Sequence, residues 1–132
     1  MAASKNILQR LKERLAARQT MVDEVEQARL IAQIGASSAE LRLEAARALA
    51  DFPTDAAATA LAEAVRDRDV RVREAAARSI RAIAARARVP VTPVMDALQI
   101  EPADSPALFP LVAALRALGP GEAAERVVME KK

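Results

Sequence analysis

Residues 67–80 read DRDVRVREAAARSI, and residues 41–49 read LRLEAARAL; a shift of 31 lays the second string on residues 72–80 of the first. In that register Arg42 falls on Arg73, Ala45 and Ala46 on Ala76 and Ala77, Arg47 on Arg78, and Leu49 on Ile80. Extended backwards, it pairs Leu30 with Leu61 and Ile34 with Val65, and forwards it pairs Phe52 with Ile83. Alanine pairs are cheap in a chain with 33 alanines among 132 residues, but arginines and large apolar residues in the same register are not. A third, looser copy places Val94 and Leu98 on Leu61 and Val65, and Ala114, Arg116, Ala117 and Leu118 on Ala76, Arg78, Ser79 and Ile80. Self-similarity at such a period is the signature of stacked repeats.

Start and stop signals divide the chain into about eight helical segments. Ser4 caps a first helix to about Arg18, and Thr20 with Asp23 opens a second that stops at Gly35. Ser37 with Glu40 starts a third, ended by Phe52-Pro53, and Thr54 or Asp55 starts a fourth that runs to about Arg66. A fifth helix is expected from Asp69 to about Arg88. Thr92-Pro93 and Ser105-Pro106 open two more, to about Ile100 and Leu118, with Pro110 either kinking the latter or marking its regular start. A last segment covers Glu122 to about Met129. No strand is needed.

The strings LRLEAARAL and DRDVRVREAAARSI, with their Asp, Val-Arg and Ala-Ala positions, resemble HEAT repeats of the short bacterial kind also found in phycobilisome lyases. The resemblance covers about residues 20–118 and weakens in the third unit, where Pro110 and Leu111 replace the Val-Arg pair. It implies an all-α fold: a short right-handed α-solenoid of about three helical hairpins with flanking terminal helices, second helices lining the concave side. The expected organisation is one domain, 1–132, with an N-terminal flanking helix (1–19), repeats (20–118) and a C-terminal flanking helix (119–132). A single hairpin cannot bury its apolar face, whereas stacked hairpins make one core.

Composition narrows the function. The chain has no Cys, His, Trp or Tyr, which excludes thiolate nucleophiles, imidazole bases and the usual zinc sites. No glycine-rich phosphate loop is present, and no paired carboxylates suggest catalysis, so a non-enzymatic protein without a cofactor is expected. The absence of disulfides and of a long apolar run fits a soluble, cytoplasmic protein. Net charge is only +2, but it is segregated. Residues 1–18 carry five basic groups and one acid, 19–65 three and eight, 66–88 eight and three, and 89–132 four and six.

Arg42 and Arg73 are expected to be structural, pairing with Asp67 or Asp69 in a turn. Arg47, Arg78 and Arg116 occupy one equivalent position in three units and should form a row on the concave face, flanked by Arg71 and Arg81, with Glu74 offsetting part of the charge. The plain alternative is a solvated face with local ion pairs. As a binding surface, the row suits another protein with an acidic surface. The alternatives are nonspecific nucleic-acid binding through 66–88, disfavoured by the lack of stacking aromatics, and, from the resemblance alone, an accessory role to a tetrapyrrole lyase or isomerase. Phe109 and Val112 form a second apolar stripe beside Leu108, Leu111, Leu115 and Leu118. They are expected to lie under the last helix, or else to serve as a contact patch for self-association or partner docking. The basic first helix, with Ile7, Leu8, Leu11 and Leu15 on one face, is expected to cover the open end of the solenoid; membrane-surface binding and targeting are the alternatives.

Overall fold

The computed structural model describes residues 2–131, with side chains from Lys5 onward. It holds seven α-helices and no strand among the described residues: α1 (Ala2–Gln33), α2 (Ala39–Ala48), α3 (Asp55–Ala64), α4 (Val70–Ile83), α5 (Val91–Ile100), α6 (Leu108–Leu118) and α7 (Gly121–Glu130). The end of α1 forms the first hairpin with α2, α3 and α4 form the second, and α5 and α6 the third. Helices α2, α4 and α6 pack side by side as one layer, with α1, α3 and α5 behind them. The fold is a short α-solenoid.

The caps follow the repeat register. The Ser38 hydroxyl accepts the Leu41 N–H at the start of α2, and 31 residues on the Asp69 carboxylate accepts the Arg71 N–H at the start of α4. The α2 cap is therefore Ser38 and not the expected Ser37, whose carbonyl instead accepts from Arg42. Thr54 caps α3 by accepting the Ala57 N–H. Pro93 and Pro110 each stand at the third position of their helix, α5 and α6. There the missing N–H would have no intrahelical partner anyway, so neither proline kinks its helix. Ser105 holds the approach to α6 by accepting the Ala107 N–H, and the helix begins at Leu108, two residues before Pro110. Helix α4 stops at Ile83, short of the expected Arg88, whose N–H is taken by the Asp55 carboxylate.

The largest departure lies at the N-terminus, where the two expected segments are one 32-residue helix. Nothing between Arg18 and Thr20 breaks a helix. Thr20, read as a cap, satisfies its hydroxyl inside the helix by donating to the Ala16 carbonyl, and Gln19 bonds Asp23 one turn on. Ser4, the other expected cap, lies within α1, and its side chain is outside the described residues. Nor does the first part of α1 cover the solenoid: every residue from Lys5 to Val25 is exposed, and the first buried side chain of the helix is Leu30.

Large apolar side chains at the repeat positions, among them Leu30, Leu49, Leu61, Val72, Ile80 and Leu98, are almost wholly buried in one continuous core. The alanines at 45, 46, 76 and 77 are fully buried as well, so α2 and α4 approach closely. The Ser79 hydroxyl spans that seam with a 2.6 Å bond to the Ala46 carbonyl.

Two buried ion pairs cross from one hairpin to the next. Arg42 of α2 donates from Nε and Nη2 to the two oxygens of Asp67, at 2.9 and 3.2 Å, in the turn between α3 and α4. Its Nη1 holds the Ala36 and Ser37 carbonyls of its own turn. Arg73 of α4 repeats the pattern one unit on, bidentate to Glu101 at 2.9 and 3.0 Å in the turn after α5, with Nη1 on the Asp67 carbonyl. The expected partner of Arg42 is thus found, while that of Arg73 is Glu101 and not Asp67 or Asp69.

At the C-terminal end α7 packs on α5 and α6. Gly119, at φ +123, ends α6 in the region that glycine tolerates best, and its N–H bonds the Leu115 and Arg116 carbonyls. A Cβ at Gly121 would stand 2.7 Å from Arg116 Cγ, so the return onto α6 needs glycine there too.

Two stability changes follow. Ala76→Leu should overpack the seam and cost about 1–3 kcal/mol in urea unfolding. Arg42→Ala should cost about 3–5 kcal/mol by leaving Asp67 buried without its partner, whereas Arg78→Ala, at an exposed pair, should change stability by no more than about 0.5 kcal/mol.

Candidate functional site

The α2, α4 and α6 layer carries the expected arginine positions, and three adjoining grooves run across it. The first, about 310 Å3, is lined by Arg47 and Ala50 on one side and by Arg71, Glu74, Ala75, Arg78 and Ser79 on the other. The second, between α4 and α6, is lined by Arg78, Arg81, Phe109, Pro110 and Ala113. The third, between α6 and α7, takes in Phe109, Val112, Ala113 and Arg116 with Glu125, Val128 and Met129. Arg78 is common to the first two grooves, and Phe109 and Ala113 to the last two. Arg47, Arg78, Arg81 and Arg116 therefore lie along one continuous face.

Register explains the placement. Arg47 and Arg78 are exposed, while their flanking residues Ala46, Leu49, Ala77 and Ile80 point into the core. The 3.6-residue period turns one side of each second helix inward and leaves the arginine on the other.

The charges on this face are partly paired. Arg78 meets Glu74 at 2.8 Å, Arg116 meets Glu125 of α7, and Arg71 bridges Glu40 of α2 at 2.7 Å and Asp69 at 3.0 Å. Arg47 and Arg81 make no ion pair among the described residues. The pairs are exposed, and such pairs are each worth about 0–1 kcal/mol, so an incoming carboxylate can displace them. Arg71 is held more firmly, by two carboxylates and beside the α4 cap, which leaves it at the edge of the row.

Phe109 is 72% exposed and forms the apolar floor between Arg81 and Arg116. Val112 is buried in the core against which Val127 and Val128 of α7 pack, as expected of a residue under the last helix, and Phe109 is the one that departs from that expectation. Phe109 alone stays open because it lies one turn nearer the start of α6. Residues 66–88 do not form a single basic patch. Arg73 is taken by Glu101, Arg66 and Arg68 precede α4, and Arg86 and Arg88 follow it, about 20 Å away along a 14-residue helix.

A family model for HEAT repeats matches residues 27–108, more than half of the chain and the span of the stacked hairpins as far as the first residue of α6. The chain belongs to the HEAT-repeat family. HEAT repeats are generally protein-interaction scaffold modules and typically non-enzymatic. No curated protein and no solved structure matches the chain significantly. No helix among the described residues is long and apolar enough to cross a membrane.

The cap at the edge of this HEAT face makes it sensitive to acid. The side chain and then the backbone N–H of Arg71 hold the Asp69 carboxyl at about 2, well below the ordinary value of about 4. A carboxyl depressed on folding stabilises the native state above its unfolded pKa and loses that contribution as pH falls through the folded value. Unfolding midpoints measured between pH 5 and 2 should fall for the native chain, and part of that fall should be missing in Asp69→Asn, which keeps a capping side chain without the charge.

Proposed function

We infer that this HEAT-repeat protein is a non-catalytic binding module whose α2, α4 and α6 face takes an acidic segment of another protein. The observation that carries this reading is the continuity of the three grooves, which brings Arg47, Arg78, Arg81 and Arg116 onto one face around the exposed Phe109. Arg47 and Arg81 offer guanidinium forks to carboxylates directly, and Arg78 and Arg116 do so by exchanging Glu74 and Glu125 for carboxylates of the partner. Phe109 supplies an apolar anchor between charged flanks, a common arrangement at protein interfaces. The first groove is lined by three arginines and Glu74, which suits the acidic side chains of a peptide.

Nucleic acid fits less well. Of the eight arginines of 66–88, Arg66 and Arg68 precede α4, Arg86 and Arg88 follow it and Arg73 is held by Glu101, which leaves Arg71, Arg78 and Arg81 on the face, the first two paired with carboxylates, whereas a backbone-binding stripe needs positive charge at regular intervals.

A fluorescent peptide of alternating Glu and Leu, titrated at low salt, should bind the native chain and weaken as salt rises. Arg47→Glu with Arg81→Glu should weaken it at least about tenfold, the equivalent of about 1.4 kcal/mol. Phe109→Ala should weaken it without changing the salt dependence. Unaltered binding in the double arginine variant would remove this face as the site, and tighter binding of a DNA duplex than of the peptide would favour nucleic acid.

A further inference from the structure

The exposed part of α1 carries apolar residues with no partner in the chain. Leu8, Leu11, Leu15, Val22 and Val25 are 48–70% exposed, and they fall at alternate steps of three and four, with Arg18 at the one polar position in the series. That is the seam spacing of a coiled coil, sustained over about three heptads. Residues 5–25 are exposed throughout and do not pack on the repeats, although helices in proteins draw most of their stability from packing an apolar face. A seam of this kind is completed by another helix.

The charges identify which helix. From Lys5 to Arg18 the arm holds five basic groups and one acid, and from Gln19 to Glu26 it holds Asp23, Glu24 and Glu26 and no basic group. A parallel copy would set basic against basic along half of the seam. An antiparallel copy sets the basic half of each arm against the acidic half of the other. One register also satisfies the seam: Leu8 faces Val25, Leu11 faces Val22 and Leu15 faces Arg18 of the second copy, with Lys5 across from Glu26 on one flank. Arg18 lays its aliphatic stem over Leu15 and carries its guanidinium to the edge, and a polar seam residue of this kind fixes register at some cost in stability. An anionic membrane would attract the first half of the arm but repel the second.

We propose that the protein forms a homodimer through an antiparallel coiled coil of residues 5–25 of α1, with the two solenoids at opposite ends of a rod about 30 Å long. This surface is separate from the arginine face and does not depend on that reading.

Light scattering on the full chain should give twice the 14.1 kDa chain mass at micromolar concentration, and Leu11→Glu should return it to the single-chain mass. That substitution strikes two layers of the dimer, since each copy's Leu11 meets the other's Val22. The thermal transition of the repeats should survive it, because residue 11 touches none of the core, and this separates loss of pairing from loss of folding. The chain has no cysteine, so orientation can be read by oxidation. A Leu8→Cys chain mixed with a Val25→Cys chain should cross-link as a heterodimer, and Leu8→Cys alone should not. A single-chain mass across the concentration range, an unchanged dimer in Leu11→Glu, or cross-linking of Leu8→Cys to itself would each overturn the proposal. So would a monomer that sediments with phosphatidylserine vesicles.

Discussion

The bidentate arginine that reaches from one hairpin into the turn of the next is the contact on which the rest of the stack depends. Apolar burial draws the hairpins together but allows them to slide and rotate, since dispersion and desolvation have little directional preference. Arg42 on Asp67 and Arg73 on Glu101 fix the distance and angle between successive units, because a planar guanidinium meets a carboxylate well in only a narrow range of geometries. Each arginine also binds carbonyls of a turn that helix ends leave without partners. Both ends of this ladder are closed. The first hairpin has Ala36 where the second has Asp67, so no acceptor faces outward at the start, and the third has Leu111 where an arginine would reach onward. Helix α7 packs at that end instead.

Close approach of the second helices follows from the alanines. With Ala45, Ala46, Ala76 and Ala77 at the α2 and α4 seam, backbone comes near enough for the Ser79 hydroxyl to reach the Ala46 carbonyl. Large residues at these sites would push α2 and α4 apart and carry the Arg42 fork out of range of Asp67. A core of Leu, Ile, Val and Ala needs no aromatic to fill it, and Phe109 is accordingly left on the surface and Phe52 only half buried.

What could be read from the chain was whatever the repeat duplicates. The 31-residue register locates the hairpins and the inward positions, each stated twice in sequence, and the acidic turn at 67–69 supplies the partner of Arg42. Some of what the repeat does not duplicate was misplaced. The Arg73 partner lies in a longer connection that breaks the register by three residues, so counting from Asp67 misses Glu101. The break expected near Arg18 came from Thr20 and Asp23, which satisfy a capping pattern as readily inside a helix as at its start. Val112 and Phe109 look alike as a stripe, and only the path of α7, set by Gly119 and Gly121, buries one and leaves the other. The arginine row was legible as positions, but the carboxylates that meet Arg78 and Arg116 depend on rotamers and on α7, which sequence spacing does not specify.

The near-neutral net charge conceals three different uses of arginine. Arg42 is buried and Arg73 largely so, and each is bidentate to a carboxylate of the next unit. Arg71 is tied to a helix cap and a neighbouring helix. Arg47, Arg78, Arg81 and Arg116 stay in solvent, where ion pairs cost little to break. That gradation separates framework from surface in a chain that uses one residue type for both. A partner carboxylate cannot compete for the buried forks without unstacking the hairpins, but it can take the exposed ones at almost no structural cost. Affinity on such a face must then come from several weak exchanges made together along the rigid stack, which is how a repeat surface gains specificity without a deep pocket.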